Sequence, residues 1–246
     1  MRKNLLGLAL GMVAFMSIGQ SVAGVVVTGT RVIYPAGQKE VTVKLNNNGG
    51  SPVLIQSWID SGDVKASPTN SNAPFVITPP VSRIDPNKGQ SLRLMFTGAT
   101  LPADKESVYW LNVLEIPPTD SVATADNKMY MAFRTRLKLF YRPANLPGKP
   151  AEAPVQVKWS AGPSVAGGGY SIKAFNPSAY HVSQASITLV DGGKRYEVAP
   201  AMIGPGETRS FAVKQLNSAP SSLSKIEFEA INDYGAYNKI TADLNK

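Results

Sequence analysis

One histidine, His181, and no cysteine stand in the 246-residue chain, so chemistry would fall to carboxylates, amines, guanidinium groups and hydroxyls. Thiol nucleophiles, iron–sulfur ligation, disulfide frameworks and multi-histidine metal sites are excluded, and any histidine-dependent triad would have to use His181. His181 follows Tyr180 at the expected start of a strand and reads as a surface or edge residue. Glycoside hydrolysis needs only two carboxylates, but nothing in the spacing of the 17 acids singles out a pair. Asp120 and Asp126 fall in an expected loop and read as solvating charges, and Gly167-Gly168-Gly169 lacks the Gly-Lys-Ser/Thr of a phosphate loop. The chain is not expected to be an enzyme, and no cofactor, metal or small-molecule substrate is expected.

The stretch 128–142, K-M-Y-M-A-F-R-T-R-L-K-L-F-Y-R, carries the strongest pattern. Its odd positions include Met129, Met131, Phe133, Leu137 and Leu139, and its even positions include Lys128, Arg134, Arg136 and Lys138. Such alternation describes a strand with one apolar and one basic face. Fully extended, the run would reach about 50 Å, so the strand must bend or run along a sheet edge. One reading makes the apolar stripe ordinary core and the basic stripe a solvated face. The other makes it an exposed edge that offers apolar side chains and unpaired backbone groups to another chain. Alternation alone supports both.

The elements that would position these residues follow from periodicity. Residues 1–23 are expected to be a signal peptide: Arg2 and Lys3 precede an uncharged run, and Ser21-Val22-Ala23 offers small residues at a cleavage site. Loss of Arg2 and Lys3 would take the formal charge from +8 to +6. From Gly24 onward apolar residues recur at every second position. Strands are expected at 25–34, 40–46, 52–60, 74–78, 90–97, 108–116 and 128–141, and again at 155–159, 170–175, 180–190, 194–198, 208–213, 225–231 and 238–243. Prolines 143, 147, 150 and 154 mark a linker between the two series, because proline removes a ladder donor. The fold class is all-β: two tandem immunoglobulin-like sandwiches, 24–143 and 144–246, with a cleft between them.

Several runs carry a resemblance that spans the chain after residue 23. These are Thr30-Arg31-Val32-Ile33-Tyr34, Thr78-Pro79-Pro80 followed by Arg83, Tyr109-Trp110-Leu111-Asn112-Val113-Leu114-Glu115-Ile116-Pro117-Pro118, Lys138-Leu139-Phe140-Tyr141-Arg142-Pro143, and Ile231-Asn232-Asp233-Tyr234-Gly235. In order and spacing they resemble the periplasmic chaperones of the chaperone-usher pathway. The resemblance implies two immunoglobulin-like domains set as an L, and a periplasmic protein that lends a strand to pilus (fimbrial) subunits until an outer-membrane usher takes them over. It implies that Arg31 and Lys138 grip the subunit's C-terminal carboxylate, and that Met129, Met131 and Phe133 belong to the donated strand. Glu106, Arg142 and Asp233 would form a structural charge cluster between the domains. Only nine residues, Thr119 to Asn127, separate Pro118 from Lys128, which with the absence of cysteine is similar to the short-loop subtype.

Family members shield the donated strand by self-association, so a weak self-capping homodimer is a further expectation. The rival reading is an exported β-sandwich adhesin or pilus structural subunit. A subunit would be a single sandwich with an N-terminal donor extension, whereas here the alternating stripe is internal and followed by a second strand series. Nucleic acid is not expected as a partner, since stacking aromatics are not interleaved with the basic residues.

Overall fold

The computed structural model describes residues 24–118, 130–164 and 169–245. The expected signal peptide, the 119–127 loop, Lys128 and Met129 lie outside these residues. The first series of strands comprises β1 (Val25–Val27), β2 (Arg31–Pro35), β3 (Val41–Asn47), β4 (Val53–Asp60), β5 (Phe75–Thr78), β6 (Val81–Ile84), β7 (Gly89–Phe96), β8 (Ser107–Ile116) and β9 (Phe133–Arg142). They form two sheets, β1-β3-β7-β5 and β2-β9-β8-β4-β6. Alternation places Leu45, Ile55, Leu92, Leu94, Leu111 and Leu139 in the shared core, all fully buried. The expected strand 25–34 is two strands in different sheets: β1 pairs with β3, and β2 runs parallel to β9. The chain changes layer at Gly29, whose φ of +88° suits the left-handed region that glycine enters freely. This crossing delivers Arg31 to the edge of β9.

β9 starts at Phe133, five residues later than expected, and residues 130–132 are not strand. β2 covers only its second half, from Lys138 to Arg142, while β8 pairs with it from Phe133 to Tyr141. The half from Phe133 to Leu137 therefore has one backbone edge without a strand partner among the described residues. β6 was not expected from sequence, because only four residues follow the Pro79-Pro80 turn before the next turn begins.

The basic face of β9 is not simply solvated. Trp58 and Asp60 of β4, Trp110 and Asn112 of β8, and Arg134 and Arg136 of β9 share the sheet face opposite the core. The Arg134 and Arg136 guanidinium groups lie 4.8 and 4.7 Å from the Trp58 and Trp110 ring centroids. Asp60, 1 % exposed, accepts hydrogen bonds from Arg136, Asn112 and the Gly62 amide. Burial alone would raise its pKa, but these bonds more than offset that and hold the carboxyl below its ordinary value. Its stabilising contribution is therefore full above the unfolded carboxylate range and lost as pH falls through the depressed folded value. Arg136→Ala should cost about 2–3 kcal/mol at neutral pH, since Asn112 and Gly62 still serve Asp60. Denaturant titrations should show that cost shrinking as pH falls below the ordinary carboxylate range and vanishing only once the depressed folded value of Asp60 is passed. A pH-independent loss would remove Asp60 from the account.

The second series comprises a helical turn, α1 (Ala153–Gln156), then β10 (Lys158–Pro163), β11 (Tyr170–Phe175), β12 (Val182–Asp191), β13 (Lys194–Val198), β14 (Met202–Ile203), β15 (Thr208–Ala212), β16 (Lys225–Ile231) and β17 (Tyr237–Asn245). The order is β13-β12-β16-β17-β10-β11-β15, with β14 on β12. β17 joins the two layers by pairing antiparallel with β16 and, at its end, parallel with β10. Trp159, Ile172, Leu189, Ile226 and Phe228 fill the core. The expected strand 155–159 is instead a helical turn followed by β10, because Pro154 in the first turn presets a helical φ and costs no hydrogen bond there. The expected linker is packed: Leu146 lies against the second core and Ala153 is fully buried in it.

Candidate functional site

Parallel pairing of β2 with β9 sets Arg31 opposite Lys138, although they are far apart in sequence. Both side chains leave the sheet on the face away from the first core, toward the second domain. Lys138 Nζ donates to Ser183 Oγ at 3.3 Å, and Arg31 Nη1 donates to the Ile231 carbonyl at 2.9 Å. The Arg31 guanidinium also lies 5.9 Å from the Phe140 ring centroid, and its buried Nε has no hydrogen-bond partner. Neither cation forms a salt bridge among the described residues. Burial lowers the Lys138 pKa, and the neighbouring Arg31 charge lowers it further. Burial also lowers that of Arg31, with Asp233 and Tyr237 opposing. Two partly desolvated cations side by side thus leave donors for an anion to fill.

Arg31, and Ser183 to which Lys138 donates, line a cleft of about 330 Å³ between the domains, with Glu106 and Phe140 on one side and His181 and Asp233 on the other. At its floor Arg142, the last residue of β9, bridges the domains. Its Nε donates to Glu106 Oε1 at 2.7 Å, while Nη1 and Nη2 donate to the Asp233 carboxylate at 2.7 and 3.0 Å. Burial works against the Arg142 charge, but the hydrogen bonds to Asp233 and the attraction of Glu106 outweigh it and raise its pKa. Glu106 Oε2 accepts from the His181 amide at 2.8 Å and lies 3.2 Å from His181 Nδ1. His181 is therefore no surface or edge residue: its side chain is 7 % exposed and lies tilted against the Phe140 ring, centroids 5.5 Å apart, inside the joint. Its role was illegible in sequence, because its partner lies 75 residues away. The same holds for Ser183 and the Ile231 carbonyl.

Along β9, Leu137 and Leu139 enter the core, but Phe133 and Met131 are 58 % and 57 % exposed. Phe133 shares its parity with the buried Leu137 and with Leu139 of the core cluster, yet it stays exposed. Met129 lies outside the described residues. Two sandwiches are thus joined through the partly buried Arg142 guanidinium beside a cleft that Arg31 lines, and the half-paired strand β9 begins next to exposed apolar side chains.

Residues 24–147 match the family described as pili and flagellar-assembly chaperone, PapD N-terminal domain. Residues 152–242 match the pili assembly chaperone PapD, C-terminal domain. The chain belongs to this family of pili assembly chaperones. It is 47 % identical over 218 residues to the probable fimbrial chaperone YadV of Escherichia coli K12, covering 87 % of each chain. The crystal structure of the YadV chaperone superposes with a TM-score of 0.77 at 44 % identity, over 90 % of this chain and all of that one. The SafB chaperone of Salmonella enterica, solved in complex with the SafA pilin, gives a TM-score of 0.72 at 26 % identity, over 92 % and 99 % of the two chains.

Proposed function

We propose that the protein binds pilus subunits in the periplasm by adding the 128–137 segment as a strand to each subunit, and passes them to an outer-membrane usher. This is β-augmentation, of which chaperone–pilin donor-strand complementation is a known instance. The observation that carries the reading is the pair Arg31 and Lys138, half-buried beside each other and in no salt bridge among the described residues, next to the unpaired half of β9. The two cations anchor a C-terminal carboxylate and so fix the register of the added strand. Met129, Met131 and Phe133 fill the subunit's groove, and methionine's flexible thioether suits partners of varied shape.

In this reading residues 1–23 are the cleaved signal peptide, 24–143 the N-terminal domain and 144–246 the C-terminal domain. The short segment between Pro118 and Lys128 assigns the protein to the short-loop subtype. Glu106, Arg142 and Asp233 act structurally, holding the cleft's angle. The exposed Met131 and Phe133 also favour a weak self-capping dimer of the free protein.

Co-expression with its cognate pilus subunit should protect that subunit from degradation. Met131→Asp places a charge in the apolar stripe at an exposed position, so the chaperone should stay folded while the recovered complex falls about tenfold or more. Equal recovery would take Met131 out of the binding strand. Failure of the wild type to raise subunit levels would overturn the chaperone reading.

A further inference from the structure

The geometry points to the β16–β17 turn of the second domain, through Gly235, as the positioning element that aims Arg31 at its carboxylate. This rests on the anchor reading above and adds to it the part that makes the anchor competent.

Arg31 is the first residue of β2, immediately after the layer change, where little of its own strand holds it. Its ordered contact comes from the other domain, through the Ile231 carbonyl at 2.9 Å. Ile231 ends β16 and leads into a turn closed by its own bonds. The Asn232 amide donates to the Ala236 carbonyl, the Gly235 amide donates to the Asn232 carbonyl, and the Tyr234 and Ala236 amides donate to Asn232 Oδ1, all at 3.0 Å. Such a turn moves as one piece. Its tip sits on Thr30, the residue before Arg31. A Cβ at Gly235 would overlap Thr30 Oγ1 and lie 3.4 Å from Thr30 Cβ and Cγ2. Gly235 also has a φ of +86°, so both the backbone shape and the close approach require glycine. The turn thus touches the chain at Thr30 and holds the side chain at Arg31, setting the distance between the two domains at the anchor.

A side chain at Gly235 should therefore lift the turn from Thr30, carry the Ile231 carbonyl away and leave Arg31 without its guide. The readout is discrimination between a free carboxylate and its amide. A synthetic peptide of alternating apolar residues with a free C-terminal carboxylate, and the same peptide amidated, would be titrated into the full-length mature protein. Wild type should bind the acid about tenfold tighter than the amide, the scale of one or two charge-assisted hydrogen bonds. Gly235→Ala should reduce that ratio to about two while leaving amide binding near wild type, with a melting temperature lowered by a few degrees through the left-handed φ at that position. Thr30→Leu, which enlarges the other side of the contact, should do the same, and Thr30→Ala should restore part of the ratio in the Gly235→Ala background.

An unchanged ratio in both single variants would overturn the positioning role. So would an equal loss of acid and amide binding, which marks general damage to the fold. Should wild type itself fail to distinguish acid from amide, the anchor reading falls and this inference with it.

Discussion

Lys138→Met and Arg31→Ala should each weaken capture of a chain with a free C-terminal carboxylate by about tenfold to a hundredfold, the loss of one charge-assisted hydrogen bond. The free protein should behave differently in the first case. Lys138 is lowered in pKa by burial and by Arg31, so its folded form binds a proton less readily than the unfolded chain does. For a base the sign is then fixed: its charge costs stability at every pH below the depressed folded value, and the cost fades as pH rises past the unfolded value near 10.4. The 3.3 Å bond to Ser183 is a weak return. Lys138→Met should thus melt at or above the wild-type temperature at pH 7, with the difference closing in strongly alkaline buffer. Arg31→Ala also strips the Ile231 carbonyl of its donor, so its stability should stay close to wild type. A Lys138→Met protein that melts several degrees lower would show that the lysine is a structural tie. A protein kept less stable than it need be by two neighbouring cations is consistent with a site retained for binding.

Arg142→Ala should have the largest effect on the protein itself. The Glu106 side chain is 2 % exposed, and among the described residues Arg142 is the one arginine or lysine within salt-bridge distance of it. Removing the guanidinium leaves a carboxylate buried with the His181 amide and imidazole alone, which should cost about 3–5 kcal/mol and lower the melting temperature by roughly 10 °C. Asp233 loses two hydrogen bonds in the same step, and with them the second domain loses its tie to the end of β9. Small-angle scattering should then report a larger radius of gyration than in wild type. The triad as a whole need not stabilise, because desolvation offsets attraction. The double variant Arg142→Met/Glu106→Leu should accordingly recover much of the melting temperature lost by Arg142→Ala. An unchanged melting temperature for Arg142→Ala would mean the joint is held by other contacts, such as the Glu106 amide to the Ala179 carbonyl.

Both experiments act on residues that the family resemblance had already picked out; what the residues themselves showed was the parity of β9, and the reason is local. Successive side chains on a strand point to opposite faces, so the core side chains Leu137 and Leu139 and the outward Arg134, Arg136 and Lys138 follow from parity within one run. The strands 170–175, 194–198 and 225–231 are found with their expected bounds, since each is a short alternating run flanked by turn residues. Parity fails at Phe133, which has the period of the core but lies outside it, because period says which face a residue takes and not whether another layer covers that face.

Sequence by itself determined the all-β class, the two strand series, the missing thiol chemistry and, through its motifs, the family. These depend on residue type and on spacing over a few positions. The tertiary structure alone decided what those residues meet. It broke 25–34 into two strands at Gly29, and so brought Arg31 beside Lys138. It committed Arg134 and Arg136 to Asn112 and Asp60, leaving Lys138 and Arg31 side by side without a salt bridge among the described residues. It buried His181 against Glu106 and carried the Ile231 carbonyl to Arg31 across 200 residues of chain. Contacts at such separations are set by which strands pair and how two domains dock, and a period of two residues holds no information about either.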